Sequence, residues 1–98
     1  MPALLIINYE IIDLDAIEAY REKGGEHLVV QGGGKPVAFT DDSIDLGEGN
    51  GSAPTTVVLE YPSVEAAKAA FNSEGYQAIV HERLSASNPS FAQIVPTL

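Results

Sequence analysis

From Thr55 to Ser87 the chain reads TTVVLEYPSVEAAKAAFNSEGYQAIVHERLSAS, the longest stretch in which every local signal agrees. Thr55 to Tyr61 is rich in β-branched and aromatic residues, which fit a pleated, half-buried surface, and so predicts a strand. Pro62 stops it. Ser63 then supplies an N-cap oxygen, and Glu65 places an acid in the first turn, where the helix dipole favours one. Val64, Ala67 and Phe71 recur at helical spacing on one face. Ala66, Ala67, Ala69 and Ala70 keep this helix thin enough to lie close to a sheet. Asn72 breaks it. Ser73 caps a second short helix from Glu74 to about Leu84, with Tyr76, Ile79, Val80 and Arg83 along one side.

The rest of the chain supplies that sheet. Ala3 to Glu10 reads as a strand, and its run Leu4-Leu5-Ile6-Ile7 is apolar on both parities, as in a central strand covered on both faces. Asp13 or Asp15 can cap a helix that follows. From there two local readings stand: a helix over 14–23 with a turn at Gly24-Gly25 and a strand over 27–31, or one helix from about 14 to 31 ended by Gly32-Gly33-Gly34. Pro36 to Phe39 is a short strand, and its proline points to a sheet edge. Residues 41–54 hold four acids and three alternate glycines, and read as a long loop between two antiparallel strands. Ser85 to Ser90 is a linker, and Phe91 to Val95 a closing strand. The order β-α-β-β-α-β predicts a ferredoxin-like plait: a four-stranded antiparallel sheet with helices on one face, in a single domain over residues 1–98.

Size and charge narrow the function. A chain of 98 residues buries only about two-thirds of its unfolded surface and gains from a partner. Fourteen acidic against five basic residues give a formal charge of −9, which makes nucleic acid and anionic membrane poor partners. No apolar run approaches the roughly 18 residues of a membrane helix, and the start MPALLIINYE reads as a first strand, not a signal peptide. Cytoplasm is the default location. Without cysteine there is no thiolate nucleophile or Cys-based metal site. The acids of the loop lack the D-x-D-x-D-G spacing of a calcium site, and no Lys-Ser/Thr follows its glycines. No zinc spacing and no nucleophile-elbow serine occur. No cofactor or metal is expected.

At Tyr61-Pro62-Ser63, then Glu65-Ala66-Ala67-Lys68, Asn72-Ser73, Gly75-Tyr76-Gln77 and Arg83, the chain resembles the DUF1330 family of the dimeric α+β barrel superfamily. Tyr20-Arg21 and Gly32-Gly33 match as well. The resemblance favours the single long first helix, because matching the glycine pair to Gly32-Gly33 keeps the family spacing. It implies a homodimer in which the open sheet face packs on that of a second subunit, with a pocket between sheet and helices in each. The scaffold hosts metal- and flavin-free monooxygenases, isomerases and haem degraders alike, so it does not choose a reaction. The chain departs from the pattern in two places. Lys35 or Pro36 stands where relatives often carry an arginine, and the acidic loop is longer.

Six residues are candidates for a site. Tyr76 and Arg83 lie two helical turns apart and share a face. With Tyr20, they can bind a carboxylate or enolate oxygen in an apolar pocket. His27, on the inner face of the long helix, is a candidate general base. Asn8 and Glu60 sit on strands expected to be neighbours, where a buried carboxylate acts as acid or base. The chemistry then follows one of two lines. One is a cofactor-free enzyme on a small hydrophobic, anionic or enolisable molecule, with Arg83 and Tyr76 fixing the anion and His27 or Glu60 moving the proton. The other is a non-catalytic dimeric ligand-binding or structural module, with the same residues in core or interface.

Overall fold

A computed structural model describes all residues from Met1 to Leu98. The elements in chain order are β1 (Ala3–Ile11), α1 (Leu14–Gly25), a π-helical segment (Glu26–Gln31), β2 (Lys35–Thr40), β3 (Thr55–Tyr61), α2 (Val64–Phe71), α3 (Glu74–Ser85) and β4 (Ser87–Pro96). Each α-helix opens on a side-chain cap. Asp13 accepts from the Ala16 N–H at 3.1 Å, Ser63 from Ala66 at 3.0 Å and Ser73 from Tyr76 at 3.2 Å. These bonds satisfy donors that the helix itself leaves free.

The sheet is ordered β2-β3-β1-β4, all neighbours antiparallel, with Leu5 opposite Leu59 and Ile94. Alternate residues of the central strands, Leu5, Ile7, Tyr9, Leu59 and Tyr61, face the helices. There they join Ile17, Tyr20, Leu28, Ala67, Ala70, Tyr76 and Ala86 in one core. Burying each of the aliphatic side chains stabilises the fold by roughly 1.5–3 kcal/mol. Leu4, Ile6 and Val58, on the other parity, are half-buried on a face with no helix over it.

Two expectations are corrected. The plain six-element ferredoxin-like plait closing as a dimeric α+β barrel is not what the chain forms. Its sheet is open and uncurled, with β2 and β4 as free edges, and its helical layer holds three α-helices and a π-helical segment. One chain supplies only four strands, and the smallest well-filled barrels take about eight, so the sheet of this chain, ordered β2-β3-β1-β4, stays open. The second correction concerns the linker at Ser85–Ser90. Residues from Ser87 onward are already strand, paired with β1 as far as Ile11, and the register shifts beside Pro89. An edge strand tolerates that proline because its N–H side faces no neighbour.

Helical backbone runs without a break from Leu14 to Gln31, through Gly24-Gly25, but widens into a π-helix after Gly25. The segment ends where three glycines pass under α2 and β3. A Cβ on Gly34 would come within 2.7 Å of both the Leu28 carbonyl and the Tyr61 hydroxyl, and one on Gly32 within 2.8 Å of the Ala70 methyl. The Tyr61 hydroxyl donates to the Leu28 carbonyl at 2.7 Å, tying β3 to the π segment.

Candidate functional site

The first helical run, with its π-helical end, lies over the sheet. Beneath it lies a cavity of about 210 Å³ between α1, the π segment and β1, β2 and β3. Its walls are mainly apolar: Ile7, Leu28, Val57, Leu59 and Phe39 contribute to them, and Gly24 and Gly25 form part of the roof. A Cβ on Gly25 would meet nothing within 4 Å, whereas one on Gly24 would press on the Tyr20 ring at 3.3 Å. A dry apolar cavity on the order of 150 Å³ is enough for a benzene-sized guest.

Two polar side chains line the space. Tyr9 projects from β1 on the same parity as Leu5 and Ile7 and is 1% exposed. Neither its hydroxyl nor the buried Nε of Arg21 completes a hydrogen bond of good geometry, although Tyr9 lies close enough to Arg21 to favour its charge. Arg21 is fixed at the cavity's rim. Its Nη2 donates to Asp41 Oδ1 at 2.6 Å, and its guanidinium carbon stands 4.7 Å from the centre of the Phe39 ring. The Thr55 hydroxyl donates to the same Asp41 oxygen at 2.8 Å. That bond, with the one from Arg21, holds the Asp41 carboxyl below its usual range. Native structures leave few buried polar groups unpaired, so two in one cavity wall mark it as a candidate site.

Behind Tyr9 is a phenol cluster. The hydroxyls of Tyr20 and Tyr76 share a hydrogen bond of 2.5 Å, with ring centres 6.3 Å apart in an edge-to-face arrangement. Burial, reinforced by Tyr76 beside it, drives the Tyr20 phenol well above its ordinary pKa. Arg83 reaches this cluster from α3, with its guanidinium carbon 5.8 Å from the centre of the Tyr9 ring. Burial works against the Arg83 cation, but the neighbouring phenols Tyr76 and Tyr20 outweigh it and raise its pKa. Tyr20, Tyr76 and Arg83 therefore stand together, although only Tyr20 lines the cavity.

The other three candidates are dispersed. His27 lies outside the cavity, on a groove with Gln31, Gly32 and the alanines of α2. Its Nδ1 is 3.3 Å from Gln31 Oε1, and its ring covers Gly75, where a Cβ would overlap it. Glu60 sits opposite Leu4 and Lys35, on the sheet face without helices. Asn8 is fully engaged in holding the end of the acidic loop. Its Oδ1 accepts from the Ala53 N–H at 2.8 Å, and its Nδ2 donates towards the carbonyls of Ala53 and Thr55 and the Thr56 hydroxyl at 2.9–3.0 Å.

Comparison with known proteins places the chain. A family model described as a domain of unknown function, DUF1330, matches residues 2–96. The chain belongs to the DUF1330 family. No curated protein matches it. Among solved structures it is similar to a protein of unknown function from Rhodopseudomonas palustris, at 21% identity and a TM-score of 0.78, over 99% of this chain and 82% of that one. At that identity the likeness is one of fold.

This DUF1330 chain has no cysteine and no group of three or more His, Asp or Glu side chains placed to hold a metal ion. No helix is long and apolar enough to cross a membrane. Tyr9 and Arg21 are the polar cavity-lining side chains that sequence reasoning misses. Tyr9 carried one signal, its parity with Leu5 and Ile7, which aims a phenol into the core. Arg21 carried another, as one of only five basic residues.

Proposed function

We propose that this DUF1330 protein binds a small, uncharged, hydrophobic molecule bearing a carbonyl-type oxygen in the cavity beneath α1. One observation carries the reading: an apolar cavity of about 210 Å³ with two unpartnered buried polar atoms, Tyr9 Oη and Arg21 Nε, on its lining residues. Asp41 already neutralises Arg21, so the cavity offers hydrogen-bond donors without a net charge. That favours a ketone or ester oxygen over a carboxylate, which would compete with Asp41. Two donors on one oxygen also suit an enolate, the charge that develops when an enolisable ketone loses a proton. Cofactor-free proton transfer is accordingly the reaction class to screen. His27 and Glu60 lie away from the cavity and touch no occupant in this reading.

Acetophenone is a suitable probe. Wild-type protein is expected to show saturable binding by ligand-observed NMR. Val57→Phe, which fills the cavity, is expected to abolish it, and Tyr9→Phe to weaken it about 3- to 10-fold, the effect of one neutral hydrogen bond. Binding indifferent to Val57→Phe, or no binding at all, would overturn the proposal.

A second reading concerns self-association and is compatible with the first. Leu4, Ile6, Val58 and Val95 on the helix-free face are half-buried. An apolar face of this kind marks an interaction surface. It supports a homodimer through the open sheet face, for which sedimentation equilibrium is the test. The Ile6→Lys variant is expected to sediment as a monomer where the wild type does not, and a monomeric wild type removes the reading.

A further inference from the structure

Arg83 is the one buried cation of this molecule without a counter-charge. It is 3% exposed, forms neither of the two ion pairs, and its Nε has no hydrogen-bond partner. The groups that face it are phenols, and the Tyr76 and Tyr20 hydroxyls favour its charge without supplying a counter-ion. Tyr20 and Tyr76 bond to each other, and the Tyr9 ring presents its π-face. A buried guanidinium is costly unless a carboxylate or a full set of acceptors compensates it. None of the chain's fourteen acidic side chains does so.

Arg83 also lines a groove between α3 and β4. Phe71, Val80 and Phe91 form its apolar walls, and Gln77 and Ser90 sit on its rim. We propose that this groove binds a small hydrophobic carboxylate, with the carboxylate on Arg83 and the apolar body against Phe71, Val80 and Phe91. The planar fork of an arginine matches the two oxygens of a carboxylate. One uncompensated charge calls for one anionic group, and the overall charge of −9 disfavours polyanions. The inference is independent of the cavity reading: Arg21 there is already neutralised, whereas Arg83 is not.

The test follows the arginine side-chain N–H signals of the ¹⁵N-labelled protein during titration with benzoate, and with benzamide as its uncharged isostere. The expected result is a saturable shift of the Arg83 Nε–H and of Gln77 and Ser90 with benzoate. Benzamide should bind at least about tenfold more weakly, the loss expected for a charge-assisted pair. Arg83→Gln should abolish benzoate binding while acetophenone still binds the cavity. Should that variant fail to fold, the benzoate-against-benzamide comparison on the wild-type chain decides the matter. Equal response to both probes, or no saturable response, overturns the proposal. So does a benzoate shift centred on Arg21. An Arg83 signal that moves with protein concentration alone also overturns it, since an acid from a second copy would then fill the groove.

Discussion

Asn8 shows how far a single residue's role depends on its surroundings. A polar side chain in the middle of β1 reads equally as a site residue and as a strand end. Here its amide is spent on Ala53, Thr55 and Thr56, and it is 1% exposed. Replacing it with Ala strands the Ala53 N–H and two carbonyls, and should destabilise the protein by roughly 2–4 kcal/mol in urea unfolding. Asp at the same position keeps the acceptor for Ala53 but loses every donor and buries a charge, so it should be no better tolerated. Tyr61→Phe loses one buried hydrogen bond, to the Leu28 carbonyl, and should cost about 1–2 kcal/mol. Of the six candidates in the sequence, Tyr20, Tyr76 and Arg83 gather in space because all three lie on helix faces that meet over Tyr9. His27 and Glu60 do not, because one packs over Gly75 of α3, outside the cavity, and the other points to the opposite side of the sheet.

At the scale of elements, the first helical run is the most informative. Two glycines in a helix cost about 1 kcal/mol each, and propensity alone would have ended the helix there. What carries the chain through is packing: Ile17, Tyr20, Gly24 and Leu28 all bury against the sheet or α3. π-helical turns are rare and cluster at functional sites, and this one roofs the cavity. Its end is fixed by close approach. Gly34→Ala would push a methyl into the Leu28 carbonyl and the Tyr61 hydroxyl and should destabilise by about 2–3 kcal/mol. Combining it with Tyr61→Phe should cost less than the sum of the two, because the hydroxyl is one of the atoms in the way. A strictly additive double-mutant cycle in chemical denaturation would show that the backbone contact alone sets the penalty.

At the scale of the whole molecule, pH reads out the buried phenols. Burial, with Tyr76 adding to it, pushes the Tyr61 phenol from 10.0 up to about 12, and Tyr20 lies higher still. A raised folded-state pKa contributes stability that is fully present below the unfolded value. It is lost as pH rises from about 10 through the folded values. Absorbance titration of phenolate should therefore show these two groups ionising late and together with alkaline unfolding. Early ionisation of Tyr20 and Tyr61 in a still-folded protein would contradict their packing. Asp41 acts at the acid end with the opposite sign. Its depressed pKa contributes stability above the ordinary 3.8, and that is lost as pH falls through the folded value. Strand and helix content was legible in the sequence wherever short-range chemistry decides it. The TTVVLEY strand, the Ser63 and Ser73 caps and the Pro62 stop are properties of neighbouring residues. The sequence likewise determined the charge, the lack of thiol chemistry and the absence of metal-ligand spacing. Only tertiary structure decided that the sheet stays open, that the first helix continues as a π-helix, that Tyr9 and Arg21 share a cavity and that Arg83 lies buried without a counter-charge. Each of those depends on which distant faces meet, and local spacing carries no information about residues brought together from opposite ends of the chain.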